Sequence, residues 1–202
     1  GKFGFGKEID LFIKAENILL SDISQLKEIF PNSYGDPNGI CDFLIKAKGR
    51  LPENLNVKMK RILTDLNADF FLQIKEGRIF DQEMKNAKIE MTWTGNKLFI
   101  KNFNFESKDI LFAAVGGIDN NDEIDINAGI KINLNSFSNF TGKYAKLMGL
   151  SDMKFKIKGT IEDPSVAADI FVSDFVLNSI SLDNVSGKIE YHKNNYKFHG
   201  PF

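Results

Sequence analysis

The sequence contains two groups of side chains that could bind a metal ion. His192 and His199 are seven residues apart and fall on neighbouring predicted strands. Neither has a second histidine or a cysteine at ligand spacing, so the pattern favours surface histidines. The segment 119–125 carries four carboxylates. It lacks the glycine and the spacing of a calcium-binding loop, and a solvated turn fits it better. We therefore predict no metal site.

Other catalytic chemistry has equally little support in the sequence. Cys41 is the single cysteine, and a small buried apolar residue is the commoner role for such a thiol. The segment Phe3-Gly4-Phe5-Gly6 lacks the third glycine and the following helix of a dinucleotide-binding turn. We find neither a Ser-His-Asp signature nor a nucleophile elbow. The prediction is a protein that is not an enzyme and that uses no cofactor.

The clearest pattern lies between Ile124 and Leu134. Apolar residues occupy every even position of this stretch, and polar residues or glycine occupy every odd position. Side chains alternate between the two faces of a strand, so the stretch predicts one long β-strand with an apolar and a polar face. Some other layer or a ligand must cover the apolar face.

The same alternation recurs along the chain and predicts a mainly antiparallel, all-β fold with two short helices. Further strands are predicted at 9–20, 40–49, 55–59, 68–74, 87–93, 97–106, 110–118, 153–161, 166–172, 175–182, 186–191 and 196–199, with turns at 76–77, 95–96 and 119–122. One helix is expected to begin at Asp22 or Ser24 and to end at Pro31. The other is expected at 137–148, with Gly149 as its stop.

Composition excludes some classes of partner. The 202 residues include 26 basic and 27 acidic side chains, for a net charge of −1. A nucleic-acid-binding protein normally has a basic excess or a basic stripe, so we predict no such partner. Nineteen phenylalanines stand against four tyrosines and one tryptophan. Phenylalanine adds apolar area without a polar group, which suits a wholly apolar surface.

The ends of the sequence indicate a piece of a longer protein. No run approaches the about 20 apolar residues of a membrane-spanning helix, and Lys7, Glu8 and Asp10 interrupt any pattern of a signal peptide. The sequence opens almost directly into a strand and stops soon after another. We therefore expect a soluble fragment of a larger protein.

The chain also repeats itself. The segment Asp42–Glu53 matches Met153–Pro164, and Gly49 aligns with Gly159, 110 residues later. The segment Asn86–Met91 matches Ser186–Tyr191 at a distance of 100 residues. These matches predict a unit of roughly a hundred residues, with a first copy at 1–122 and a second at 123–202 in one continuous module. Tandem units of this kind favour an elongated array.

Several segments resemble the AsmA-like and TamB-like superfamily of bacterial bridge-like lipid-transfer proteins. The segments are a strand ending in Lys-Gly before a short proline-containing turn at Lys158–Pro164, the stretch Leu66–Ile79, and the cadence of Val185–Tyr191. The resemblance covers most of the chain as a degenerate pattern. The region 60–69, which the second copy lacks, departs from it.

The resemblance implies a long sheet that is curled into an open half-pipe with an apolar inner groove. It also implies anchorage of the whole protein in the inner membrane, a periplasmic location in the cell envelope, and movement of phospholipid to the outer membrane. Acyl chains are then the expected ligands, with assembly proteins of either membrane as further partners. The side chains expected to face the groove are Phe70, Leu72, Ile74, Phe103, Phe105, Ile124, Ile126, Ile130, Ile132, Leu134, Phe155, Ile157, Ile170, Val172, Ile189 and Tyr191.

Other interpretations of the one-sided strands stay open at this point. Two facing sheets could form a closed β-sandwich, which is the usual fate of such strands. The sheet edge could pair with strands of outer-membrane proteins during their assembly. An enzyme or a sugar-binding jelly roll would need a polar cleft, and an adhesin array would need polar recognition loops on a closed core.

Overall fold

The structure is a computed structural model, and it describes residues 8–22, 38–50, 66–79, 82–95, 97–137, 146–193 and 195–200. These residues form eleven β-strands and two short 3-10 turns. The strands are β1 (Glu8–Leu19), β2 (Asn38–Arg50), β3 (Leu66–Ile79), β4 (Gln82–Thr94), β5 (Lys97–Ser107), β6 (Ile110–Ile118), β7 (Glu123–Asn133), β8 (Leu147–Thr160), β9 (Pro164–Leu177), β10 (Ile180–His192) and β11 (Asn195–His199). The 3-10 turns span Leu20–Asp22 and Leu134–Phe137.

All eleven strands belong to one antiparallel sheet. Each strand pairs with the strand before it and the strand after it in the chain, so the order in the sheet is the order in the sequence. β1 and β11 form the two edges. The predicted all-β class and the antiparallel pairing are therefore confirmed. A sandwich of two separate sheets is not found among the described strands.

The alternation explains why the chain folds this way. β7 places Ile124, Ile126 and Ile130 on one face and exposed residues such as Asp125 and Lys131 on the other. β7 begins at Glu123 and ends at Asn133, one residue from the predicted bounds at either end. The predicted turn at 95–96 is also confirmed. Gly95 has a φ angle of 58° and connects β4 directly to β5, because glycine adopts positive φ readily.

The prediction for the second helix is wrong. The described part of segment 137–148 ends a 3-10 turn at Phe137 and then enters β8 at Leu147. Met148 and the expected stop residue Gly149 therefore lie in a strand. Leu134 belongs to the 3-10 turn and not to β7, because Ser136 donates a hydrogen bond (2.8 Å) to the carbonyl of Asn133 and closes a turn there. The helix predicted after Asp22 and the strand predicted at 55–59 lie outside the described residues.

The predicted turn at Glu76-Gly77 is also wrong, since β3 continues to Ile79. Gly77 pairs directly with Gly39 of β2. A Cβ atom on Gly77 would lie 2.3 Å from the carbonyl oxygen of Asn38. The glycine therefore allows two strands to approach closely, which is a second reason for a glycine within a strand.

Three predicted strands between 166 and 191 are two strands in the structure. β9 runs through Asp174, whose φ angle is 52°, and the register with β8 shifts beside it. β10 runs through Asp183 and Asn184 without a break. Polar residues at these positions suggested turns, but a bulge accommodates the first within a continuous strand.

A small group of buried side chains lies where the first 3-10 turn crosses the sheet. Leu20 of that turn is 3% exposed and packs with Cys41, Ile74, Met84 and Ala87 from three strands. It is the one place among the described residues where a residue outside the strands joins a buried cluster. The turn therefore covers one end of the sheet's apolar face.

This cluster makes a testable contribution to stability. Leu20→Ala removes a buried side chain and leaves a cavity, and we expect a loss of about 2–4 kcal/mol in the free energy of unfolding. Leu19→Ala, one residue earlier and 49% exposed, serves as the matched control and should cost less than about 0.5 kcal/mol. Urea denaturation followed by circular dichroism measures both. Equal losses in the two variants would contradict this packing.

Candidate functional site

The apolar face of the sheet is the candidate functional site. Direct pairing from strand to strand aligns one residue of each strand in a continuous row across all eleven strands. This central row consists of Ala15, Phe43, Leu72, Ile89, Phe103, Ala114, Ala128, Phe155, Ala168, Ile189 and Phe198. Every member is apolar. At a spacing of about 4.8 Å between neighbouring strands, the row extends over roughly 48 Å along the sheet.

Rows on either side of the central row are nearly as uniform. One row contains Ile13, Ile45, Phe70, Met91, Ile100, Gly116, Ile126, Ile157, Val166, Tyr191 and Tyr196; the other contains Ile18, Cys41, Ile74, Ala87, Phe105, Phe112, Ile130, Met153, Ile170 and Gly187. We call these three rows the apolar face. Apart from glycines, only the hydroxyl groups of Tyr191 and Tyr196 and the thiol of Cys41 add polarity to it.

The register places fifteen of the sixteen predicted groove residues on the same side of the sheet. Phe70, Leu72, Ile74, Phe103, Phe105, Ile126, Ile130, Phe155, Ile157, Ile170, Ile189 and Tyr191 lie in the three rows, and Ile124, Ile132 and Val172 lie beyond their ends on the same side. Leu134 lies in the 3-10 turn and outside the sheet. The structure does not test whether these residues bind lipid.

Most of these side chains are half-exposed. Of the sixteen, only Ile74 (7% exposed) and Val172 (8% exposed) are buried, and the other fourteen keep an intermediate fraction of their surface. A side chain in the core of a two-layer protein is normally covered from above as well as from its sides. On this sheet the described residues supply mainly the neighbours at the sides.

Aromatic rings provide part of that lateral cover. Phe103 pairs directly with Ala114, and its ring meets the ring of Phe112 edge-on at 5.1 Å between centroids. The two rings flank Ala114, which is buried. Edge-to-face contacts of this kind are favourable beyond the area they bury. Lateral packing thus makes the face continuous without a second layer.

The opposite side of the sheet, which we call the polar face, carries ion pairs between neighbouring strands. Lys131 Nζ lies 3.4 Å from Asp152 Oδ2 on the directly paired position of β8, and Lys158 Nζ lies 3.8 Å from Asp125 Oδ2. Exposed pairs of this type contribute at most about 1 kcal/mol each. They mark the polar face as the solvated side and contribute little to the fold.

Hydrogen bonds on the polar face lower the pKa of two carboxyl groups. The pKa of Asp69 is below its ordinary value, mainly because the Thr92 hydroxyl donates a hydrogen bond of 2.7 Å to Oδ1. The pKa of Asp42 is lowered by Lys75, whose Nζ lies 2.8 Å from Oδ2. Both groups are therefore anionic at neutral pH, and neither is suited to act as a general acid.

A depression of about 860 Å³ lies on the polar face. Its floor includes Gly117, which pairs with Phe99 on one side and Asp125 on the other. The missing side chain of the glycine leaves space between these neighbours. The lining residue Lys158 pairs with Asp125. The depression brings together no nucleophile and base, so we assign it no chemistry.

The residues with potential for chemistry are dispersed. Cys41 is fully buried, and burial followed by the charge of Asp42 raises the pKa of its thiol, which makes it a poor nucleophile. His192 Nε2 lies 3.3 Å from Asp163 Oδ1, and His199 Nε2 lies 3.8 Å from Glu190 Oε2. Within the described ranges, no three His, Cys, Asp or Glu side chains are placed to hold a metal ion.

The sequence prediction missed several members of the apolar face. Phe43, Ile45, Met91, Phe112 and Met153 belong to the three rows but were not among the predicted groove residues. The signal that finds them is the same alternation. In β5 the alternation changes phase at a bulge between Ile100 and Phe103, so a strict period of two follows only part of that strand.

Comparisons with models of protein families, with curated proteins and with solved structures give no match to this chain. The resemblance to the AsmA-like and TamB-like superfamily therefore stays a prediction. In the part of the chain that the structure describes, no helix has the length and apolar character needed to cross a membrane.

Proposed function

We propose that this protein binds phospholipid acyl chains on its apolar face and moves lipid along it between the inner and outer membranes of a cell envelope. The observation that supports this function best is the central row of eleven apolar residues, which has neither a charged member nor a break. A ligand on such a surface must itself be long and apolar.

The energetics favour an acyl chain over a rigid small molecule. Each CH₂ group that leaves water contributes about 0.8 kcal/mol, so a chain of many CH₂ groups gains affinity from any part of the face. The absence of charged groups from the three rows gives no fixed point for a head group. A lipid can therefore shift along the row without breaking a specific contact, as transfer requires and tight storage does not.

We further propose that the sheet is curled into a half-pipe with the apolar face inside. The exposure pattern of β7 supports this geometry, since its apolar side chains are less exposed than the polar ones between them. The concave side of a curved sheet brings its side chains together and the convex side spreads them apart. Such curvature would shield acyl chains from water while the head groups stay outside.

Corresponding positions in the two proposed repeat units support the duplication. Gly39 of β2 and Gly149 of β8 are 110 residues apart and have φ angles of 134° and 129°. On β4 and β10, an ion pair spans two residues at the same place in each copy, with 3.1 Å between Lys88 and Glu90 and 2.8 Å between Lys188 and Glu190. A duplicated unit lengthens the apolar face by whole copies, which suits a path between membranes.

A vesicle assay tests the proposed function. Donor vesicles of phosphatidylethanolamine and phosphatidylglycerol carry a fluorescent phospholipid and a quencher, and acceptor vesicles carry neither. We expect residues 1–202 to accelerate the transfer of the labelled lipid above the spontaneous rate in proportion to protein concentration. A rate equal to that of vesicles alone, together with no lipid bound to the isolated protein by native mass spectrometry, would refute the proposal.

A further inference from the structure

The outer edge of β1 is the longer of the two open edges of the sheet. β1 pairs with β2 along its length, and no described strand pairs with its other side. An edge of this kind presents unpaired N–H and C=O groups that can accept another strand. A bulge between Ala15 and Ile18 interrupts the regular register, so residues 8–16 form the part that can extend the sheet.

The side chains on this edge have a pattern that is complementary to itself. On the polar face, Phe12 is 60% exposed and lies between Asp10 and Lys14. On the apolar face, Leu11 and Ile13 lie on either side of Phe12 in the chain, and Ile13 is 40% exposed. The pattern has an aromatic residue at its centre, opposite charges two residues away on either side, and apolar neighbours on the other face.

We propose that β1 pairs with β1 of a second copy of this chain, antiparallel, about a two-fold axis through Phe12. Phe12 then lies opposite its own copy, and Asp10 of each chain lies opposite Lys14 of the other. Leu11 lies opposite Ile13 on the apolar face. Directly opposed aromatic, oppositely charged and apolar pairs are the contacts that stabilise an antiparallel pair of strands, and the contact is isologous, as a closed dimer requires.

The neighbouring register fits less well. A two-fold axis through Ile13 would place Asp10 opposite Glu16 and Phe12 opposite Lys14. Both copies of the like-charge pair would then oppose association. In the register through Phe12, Glu8 lies opposite Glu16, but Glu16 is already neutralised by Lys14 of its own chain at 2.7 Å.

The edge formed by β11 is less suited to the same contact. It has five residues, Asn195–His199, compared with nine on β1. A two-fold axis through its centre would place Lys197 opposite Lys197. Pairing through β1 therefore offers both a longer strand and complementary charges.

The dimer would join the two apolar faces on one side of the sheet. A two-fold axis perpendicular to the sheet keeps the same face of both copies on the same side, so the rows of apolar residues continue across the junction. The proposed dimer does not depend on lipid binding, because its contacts involve the edge and the backbone.

Cysteine crosslinking tests the register. Phe12→Cys should form a disulfide-linked dimer under mild oxidation, because directly opposed residues lie close enough for a disulfide. Asp10→Cys alone should not, since its two copies would lie four residues, or roughly 13 Å, apart. A mixture of Asp10→Cys and Lys14→Cys should crosslink. The unmodified protein is the control, because its Cys41 is fully buried.

Charge reversal tests the energetics. Sedimentation velocity should show a concentration-dependent dimer, and Asp10→Lys should raise the dissociation constant by about tenfold or more, since it places like charges opposite each other twice. Asp10→Lys with Lys14→Asp should restore most of the affinity. Circular dichroism should show the same fold in every variant. A protein that stays monomeric, or crosslinking of Asp10→Cys as efficient as that of Phe12→Cys, would overturn the proposal.

Discussion

Ile126→Glu is expected to weaken phospholipid binding by at least about tenfold, because it places a carboxylate on the apolar face where acyl chains are proposed to lie. Burial of an uncompensated charge against a hydrocarbon chain costs several kcal/mol, and even partial contact exceeds the 1.4 kcal/mol that corresponds to tenfold. Ile126 is half-exposed and lies between Gly116 and Ile157 in its row. In the free protein the new carboxylate can therefore stay hydrated.

Asn127→Glu is the matched control for this substitution. It introduces the same charge on the same strand, one residue further along, but on the polar face, where Asn127 is exposed. We expect binding within about twofold of the unmodified protein, since no acyl contact is lost. Native mass spectrometry with phosphatidylglycerol measures both variants. Equal affinities in the two variants would show that lipid does not use the apolar face.

Gly116→Val is expected to lower the free energy of unfolding by roughly 3 kcal/mol or more, through steric overlap and backbone strain. Gly116 has a φ angle of 141°, and a Cβ atom there would lie 2.2 Å from the carbonyl oxygen of Asp125 and 2.6 Å from the Cα atom of Ile126. Both neighbours are backbone atoms of the paired strand and cannot move aside independently. β6 and β7 would have to separate locally.

Gly129→Val provides the comparison for Gly116→Val. Gly129 lies on the neighbouring strand, and its nearest potential contact, the carbonyl oxygen of Met153, is at 3.8 Å. Valine favours strands, so we expect a change of less than about 1 kcal/mol in either direction. Thermal and urea denaturation of both variants gives the difference. If Gly116→Val proved as stable as Gly129→Val, the close approach of β6 and β7 at Gly116 would be wrong.

The alternation of single strands could be predicted from the sequence because it depends on local spacing. β6 begins at Ile110 and ends at Ile118, as predicted, and β7 differs from its prediction by one residue at either end. Each of these strands has one apolar face, and a shift of one residue would turn all of that face to the other side of the sheet. Local pattern and global arrangement agree there.

The places where prediction failed depend on contacts with distant residues. Gly77 suggested a turn, but its small size serves a close approach to Gly39. Asp174 suggested a break between strands, but the chain absorbs it as a bulge. Glycine and aspartate are common in turns for local reasons, and only the paired strand decides whether a turn or a bulge forms.

The candidate site has the same division. The sequence identifies which face of each strand is apolar, and fifteen of the sixteen predicted residues lie on one side of the sheet. The degree of cover could not be predicted, because it depends on what lies above the face. Ile74 is buried under the 3-10 turn that carries Leu20, whereas Ile126 and Ile130 remain half-exposed.

Photocrosslinking in living cells tests the central claim most directly. A photoreactive amino acid replaces Ile130 on the apolar face in one variant and Lys131 on the polar face in another, in the protein as its cells produce it, and mass spectrometry identifies the adducts. We predict phospholipid adducts at position 130 and none at position 131. Adducts at position 130 that consist only of protein from the same chain would contradict the claim, since they would show that protein and not lipid covers the apolar face.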